Sequence, residues 1–149
     1  MTASGSDGNQ DASGQTTHDT EDDVRNRDIK IYVNGDIVHR DDAKISVYDS
    51  GFLLGDGMWE GIRLYNGKWA FLDAHMDRLF AGLKAACIKL GMDRAQVLDA
   101  LNRTAGANGM TGDAHCRLMV TRGIKAKPFQ HPSLSRSCLL YTSDAADEV

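Results

Sequence analysis

Between Tyr48 and Leu79 the chain reads YDSGFLLGDGMWEGIRLYNGKWAFLDAHMDRL, and no other stretch limits the fold as tightly. Gly51, Gly55 and Gly57 supply a pliable loop, and Met58 to Tyr65 then has the composition and spacing of a strand. A period of two gives that strand two faces: Met58, Glu60, Ile62 and Leu64 point one way, and Trp59, Gly61, Arg63 and Tyr65 the other. On the second face Gly61 leaves bare backbone between a large aromatic and a cation. That wall suits an anionic small molecule. The same pattern also fits an ordinary edge strand with one amphipathic face.

The flanks add elements that can pack on this strand. Ile29 to Val33 is β-branched and aromatic, Asn34-Gly35 is a strong two-residue turn signal, and Asp36 to Arg40 returns as the second arm of a hairpin. Ala43 to Val47 alternates as a short third strand. Asn66-Gly67 makes another tight turn into Trp69 to Leu72. Asp73 is placed to cap a helix whose buried stripe is Met76, Leu79, Phe80, Leu83, Cys87 and Leu90, with Gly91 as its stop. Asp93 caps a second helix to about Ala107, with Val97, Leu98 and Leu101 inward. His115 to Thr121 alternates again, with His115, Arg117, Met119 and Thr121 on one face. The expectation is an α+β domain: an antiparallel sheet with two helices.

Charge and composition narrow the function. Net charge is −4, and Asp7, Asp11, Asp19, Glu21, Asp22 and Asp23 against Arg25 and Arg27 account for all of it. The remainder is formally neutral, so no basic surface argues for nucleic acid. Residues 1–27 carry almost nothing apolar and read as a disordered acidic tail. No apolar run approaches the ~20 residues that span a bilayer. Cys87, Cys116 and Cys138 form no C-x-x-C pair, which fits a reduced, cytosolic setting better than a disulfide framework.

Taken together, D-S-G-F-x-x-G-D-G, W-E-G-I-R, the N-G turn and H-M-D-R-L resemble the small N-terminal domain of the class IV (fold type IV) pyridoxal-phosphate aminotransferases. The resemblance runs in order from Ile31 to about Pro132 and assigns residues 28–132 to that domain, with 133–137 opening an interdomain segment. It implies pyridoxal 5'-phosphate as cofactor, an amino acid and a 2-oxo acid as substrates, and a homodimer when full length. Arg78 matches the arginine that binds the cofactor phosphate; periodicity alone makes it a solvated residue or an ion pair. Arg63 and Arg117 match positions where branched-chain-type members carry arginines on the substrate side, and a guanidinium suits a carboxylate. Taken alone, Arg117 equally fits a salt bridge at a strand surface. Trp59 matches an aromatic of the substrate pocket, though unaided it reads as a core aromatic, and Gly61 also matches.

Other features pull elsewhere. Leu54 stands where branched-chain members place a tyrosine, and the D-S-G-F-L-L-G-D-G loop resembles the D-amino-acid and lyase branches. Residues 124–132 lack the arginine with which D-amino-acid members hold the carboxylate. An aminodeoxychorismate lyase, a D-amino-acid aminotransferase and a non-catalytic anion-binding module therefore stand as alternatives. Asp73-x-His75-x-Asp77 has metal-ligand types, but acids in a first helical turn are also favoured by the helix dipole. Cys87, on the expected stripe, reads as core.

The last residues resemble something else. CLLYTSDAADE after Ser137 looks like the translation of the transposase adapter used in short-read sequencing libraries. Residues 138–149 are on that reading an assembly scar outside the fold, with the catalytic C-terminal domain missing. The family's Schiff-base lysine and ring-nitrogen acid lie in that larger domain, and no lysine of this chain matches the former. No catalytic residue is therefore expected here.

Overall fold

The computed structural model describes residues 26–127, 131 and 136–145, with backbone alone for residues 136 and 143–145. The predicted tail lies outside the described residues except for Asn26 and Arg27. One antiparallel sheet of six strands carries the fold: β1 (Lys30–Val33), β2 (Asp36–His39), β3 (Gly57–Tyr65), β4 (Lys68–Trp69), β5 (Ala114–Ile124) and β6 (Arg136–Ala145). Their order is β2-β1-β6-β5-β3-β4. The short α1 (Ser50–Leu54) precedes β3, and two longer helices, α2 (Leu72–Ala85) and α3 (Arg94–Ala107), pack on one sheet face.

The core forms where the period of two in the strands meets the helical stripes. Ile62, Leu118, Leu139 and Tyr141 from the sheet pack with Met76, Leu79 and Leu83 of α2 and Val97 and Leu101 of α3. Full burial of each such aliphatic side chain contributes about 1.5–3 kcal/mol. Asp93 caps α3 through a reciprocal capping box with Gln96, as the sequence suggests. Asn34 and Asn66 both adopt positive φ, at 53° and 48°, so both Asn-Gly pairs turn tightly.

The structure corrects several expectations. Residues 43–47 form no strand, and Ile45 and Val47 are exposed. Alternation makes a strand only where a neighbouring strand takes its backbone groups, and this segment pairs with no strand before an isolated bridge between Asp49 and Ile124. The glycine loop contains a helical turn, because the Asp49 side chain accepts from the Gly51 N–H and Gly55 closes the turn at φ 66°. Trp69 to Leu72 shrinks to the two-residue β4. Helix α2 begins at Leu72, with Asp73 in its first turn, and ends at Ala85.

That end is a Schellman motif. The Ile88 N–H donates to the Leu83 carbonyl at 2.8 Å, the Cys87 N–H to that of Lys84 at 3.1 Å, and Cys87 takes the left-handed position at φ 54°. Cys87 is consequently exposed, not core, and Ile88 fills the apolar place instead.

The largest difference concerns the adapter-like segment. Residues 136–145, expected outside the fold from Cys138 onward, form β6 between β1 and β5. Their backbone pairs on both sides, with Tyr32 opposite Tyr141 and Leu118 opposite Tyr141 in the two ladders. The run CLLYT is apolar, with one aromatic and one β-branched residue, and its alternation sends Leu139 and Tyr141 into the core. The Tyr141 hydroxyl donates to the Val97 carbonyl at 2.7 Å, tying β6 to α3. Tyr32 stacks edge-on against Tyr141, centroids 5.4 Å apart.

Candidate functional site

Strand β3 lies between β4 and β5, and its register against β5 fixes which side chains share a face. Gly61 stands opposite Arg117, Trp59 opposite Met119 and Arg63 opposite His115. Trp59, Gly61, Arg63 and Arg117 are thus brought together on the face opposite α2 and α3. Trp59 is 59% exposed, so it is not a core aromatic. Instead the Arg117 guanidinium lies over the Trp59 ring, 4.7 Å from its centroid. At that distance the cation meets the ring's negative face, which fixes one arginine without an acid to neutralise it.

Glycine at position 61 matters sterically. A Cβ there would stand 3.0 Å from His115 Nε2 and 3.7 Å from the Trp59 ring. His115 thereby becomes a wall of the patch, a role missed in the sequence although its alternation with Arg117 was the available signal. Next to Trp59 opens a cleft of about 430 Å³ whose lining includes Phe52, Met119, Thr121 and Leu140. It offers apolar surface beside the guanidinium of Arg117. A larger cavity of about 840 Å³, lined in part by Asn34, Lys44 and Lys125, is touched by none of the predicted site residues.

Arg78 is not on that face. It projects from α2, with 71% of its side chain exposed, and grips the buried Glu60. Arg78 Nε donates to Glu60 Oε1 at 2.8 Å and Nη2 to Oε2 at 2.5 Å. His75 Nδ1 lies 2.8 Å from the same Oε2. The Arg78 hydrogen bond, opposed by burial and helped by His75, holds the Glu60 carboxyl below its ordinary range. Glu60 and His75 were not foreseen as site residues. The signals were a carboxylate on the strand's apolar face and an imidazole three residues before Arg78 on one helix.

The metal alternative finds no convergence. Asp73 and Asp77 both pair with Arg94, while His75 turns to Glu60. Among the described residues no group of three or more potential ligands is poised for a metal ion.

A chain with this sheet, these helices and this arginine-lined face has recognisable relatives. The family model described as Amino-transferase class IV matches residues 57–148, more than half of the sequence. The chain belongs to that family. It is 44% identical over 96 residues to a Methanocaldococcus jannaschii protein provisionally named a branched-chain-amino-acid aminotransferase, a match covering 64% of this chain and 33% of that one. It is 34% identical over 98 residues to a Listeria monocytogenes D-alanine aminotransferase, covering 65% and 33%. In fold it is similar to a branched-chain aminotransferase from the thermophilic archaeon Thermoproteus uzoniensis, solved with norvaline, with TM-score 0.69 and 23% identity over 78% of this chain and 40% of that one. This class IV aminotransferase chain therefore spans about a third of the length of these two curated relatives. Among its described residues no helix is long and apolar enough to cross a membrane.

The family implies pyridoxal phosphate, and one end of that group fits the residues present. Arg78 offers an exposed, anchored guanidinium whose Nη1 bonds no described residue. Such a group suits a phosphate.

Proposed function

We propose that the complete gene product is a pyridoxal-phosphate-dependent aminotransferase that moves an amino group from an amino acid, branched-chain substrates preferred, to a 2-oxo acid. The observation that carries this reading is Arg117 held over Trp59 beside the apolar cleft. A carboxylate suits the arginine and an aliphatic side chain suits the cleft, so one small amphipathic molecule satisfies both. Arg63, on the same face, has no ion-pair partner among the described residues and adds a second cation. Arg78 is the residue of this chain that would hold the cofactor phosphate. When bound, pyridoxal phosphate supplies an electron sink for chemistry at the amino acid's α-carbon. This chain's contribution is binding and orientation. The residues that move protons belong, by the family resemblance, to the larger domain, and the 149 residues alone are expected not to transaminate.

We also read the complete enzyme as a cytosolic homodimer. Phe52, Leu54 and Val47 are all more than half exposed and give apolar surface for a second copy.

The test is an amino-transfer assay on the complete gene product, with L-leucine, L-valine and D-alanine as donors and 2-oxoglutarate as acceptor. Faster turnover of the L-branched donors supports the reading. A preference for D-alanine favours the second reading, a D-amino-acid enzyme, for which the Listeria relative and Leu54 speak. Pyruvate released from aminodeoxychorismate would assign a lyase. Absence of turnover with any of these leaves the anion-binding module.

A further inference from the structure

We propose that Glu60 is a positioning residue: from inside the protein it holds the Arg78 guanidinium by two donors, so that the remaining edge presents outward donors to a phosphate-type anion. The inference rests on the reading of Arg78 as the phosphate-binding cation and adds what keeps that cation in place.

The contrast between the two partners carries the argument. Glu60 leaves 3% of its side chain exposed, whereas Arg78 leaves 71%. A carboxylate so placed needs paired donors, and it receives them from Arg78 Nε and Nη2 and from His75 Nδ1. A guanidinium has five N–H donors in a rigid fork. Two of its nitrogens face Glu60, and Nη1 bonds no described residue. An unanchored arginine would lose much of its rotamer freedom on meeting an anion, and this one has already lost it. His75 and Arg78 stand three residues apart on α2, so the carboxylate is gripped from one helical face and cannot turn without breaking both contacts.

Position in the strand gives Glu60 a second consequence. It sits between Trp59 and Gly61, and the period of two sends it to the helix side while its neighbours line the open face. One rigid strand thus fixes the anchor of Arg78 and the wall of the substrate face together.

The experiment uses the 149-residue chain and inorganic phosphate as probe, followed by the nitrogen-15 NMR signal of the Arg78 Nε–H. In the wild type that proton should be resolved and slow to exchange with water, and it should shift on phosphate titration. Arg78→Ala should abolish phosphate binding. Glu60→Gln, which lacks the charge that holds both donors, should weaken it by about tenfold and return the Arg78 proton in the corresponding spectrum to fast exchange. Removing a negative charge without any positioning role would instead strengthen anion binding. Equal or tighter binding by Glu60→Gln therefore overturns the inference and leaves Arg78 its role. Unchanged binding in Arg78→Ala overturns the underlying reading itself. Should Glu60→Gln fail to fold, Glu60→Asp keeps the charge and withdraws it by one methylene. Weaker phosphate binding by that variant supports positioning, and wild-type binding refutes it. A wild-type Arg78 proton in fast exchange also refutes it, whatever the variants do.

Discussion

The two faces of β3 are made from alternate residues of one strand, yet they treat charge in opposite ways. On the helix-covered face Glu60 is buried and shared between Arg78 and His75, and Ile62 and Leu64 around it are sealed from water. On the open face Arg63 has no ion pair among the described residues, and Arg117 is steadied by a ring without losing its charge. Where water is excluded, leaving a charge unpaired is too costly, so both oxygens of the Glu60 carboxylate have partners. Where water or a ligand can reach, positive charge can stay available. On the proposed reading of the open face as the substrate side, substitutions on the two faces should report different quantities, stability on the covered face and amino-acid recognition on the open one.

The largest effect should come from the covered face. Leu118→Ala removes a fully buried side chain from β5 and should destabilise the chain by about 2–5 kcal/mol in urea unfolding. Met119→Ala, its neighbour on the open face, should cost distinctly less, because Met119 is only half-buried. Equal losses at the two positions would mean that the two faces of the sheet contribute alike to stability.

Next comes Tyr141→Phe, which leaves the Val97 carbonyl without its hydroxyl donor and should cost about 1–3 kcal/mol. This substitution also bears on the adapter-like segment. A wild-type melting curve for Tyr141→Phe would mean that β6 contributes nothing to the fold in solution. Sequencing the source DNA from the Ser137 codon onward addresses the separate matter of where those residues come from.

A smaller effect depends on pH. Glu60 has its carboxyl lowered first by the Arg78 hydrogen bond, against the opposing pull of burial. A group whose folded value is depressed contributes stability above its unfolded pKa, here taken as 4.5, and loses it as pH falls through the lowered folded value. Unfolding free energy should therefore drop between about pH 5 and about pH 3 more steeply in the wild type than in Glu60→Gln. Identical slopes would show that Glu60 is not held in the charged form.

What could be read from the sequence and what could not follow from the range of the interactions. Both Asn-Gly turns, the Asp93 cap and the alternation of β3 and β5 are local, and each appears where the residues put it. The end of α2 was missed because a Schellman turn usually announces itself by glycine, and here Cys87 takes the left-handed place. The third strand failed at residues 43–47 because a strand needs a neighbour to pair with, and which segments become neighbours is not set by any local pattern. The open face was legible because a period of two decides facing within each strand, and the β3/β5 register then joined Arg117 to Trp59. The Glu60 cluster was not, since it joins a strand to a helix eighteen residues on. A carboxylate among apolar residues signals that a partner exists, without saying which.

The smallest effect on stability belongs to Arg117, and it sharpens the division of labour most. Arg117 is exposed and lies on the face of an exposed tryptophan, so Arg117→Ala should change unfolding free energy by no more than about 0.5–1 kcal/mol. In the complete gene product the same substitution should lower kcat/KM for the amino acid by about tenfold to a hundredfold, the loss expected for one charge-assisted contact to a carboxylate. Arg117→Lys keeps the charge but not the planar fork, so it should recover part of that loss. A stability loss as large as that of Leu118→Ala, with kcat/KM unchanged, would make Arg117 a structural residue and remove the open face as the site of recognition.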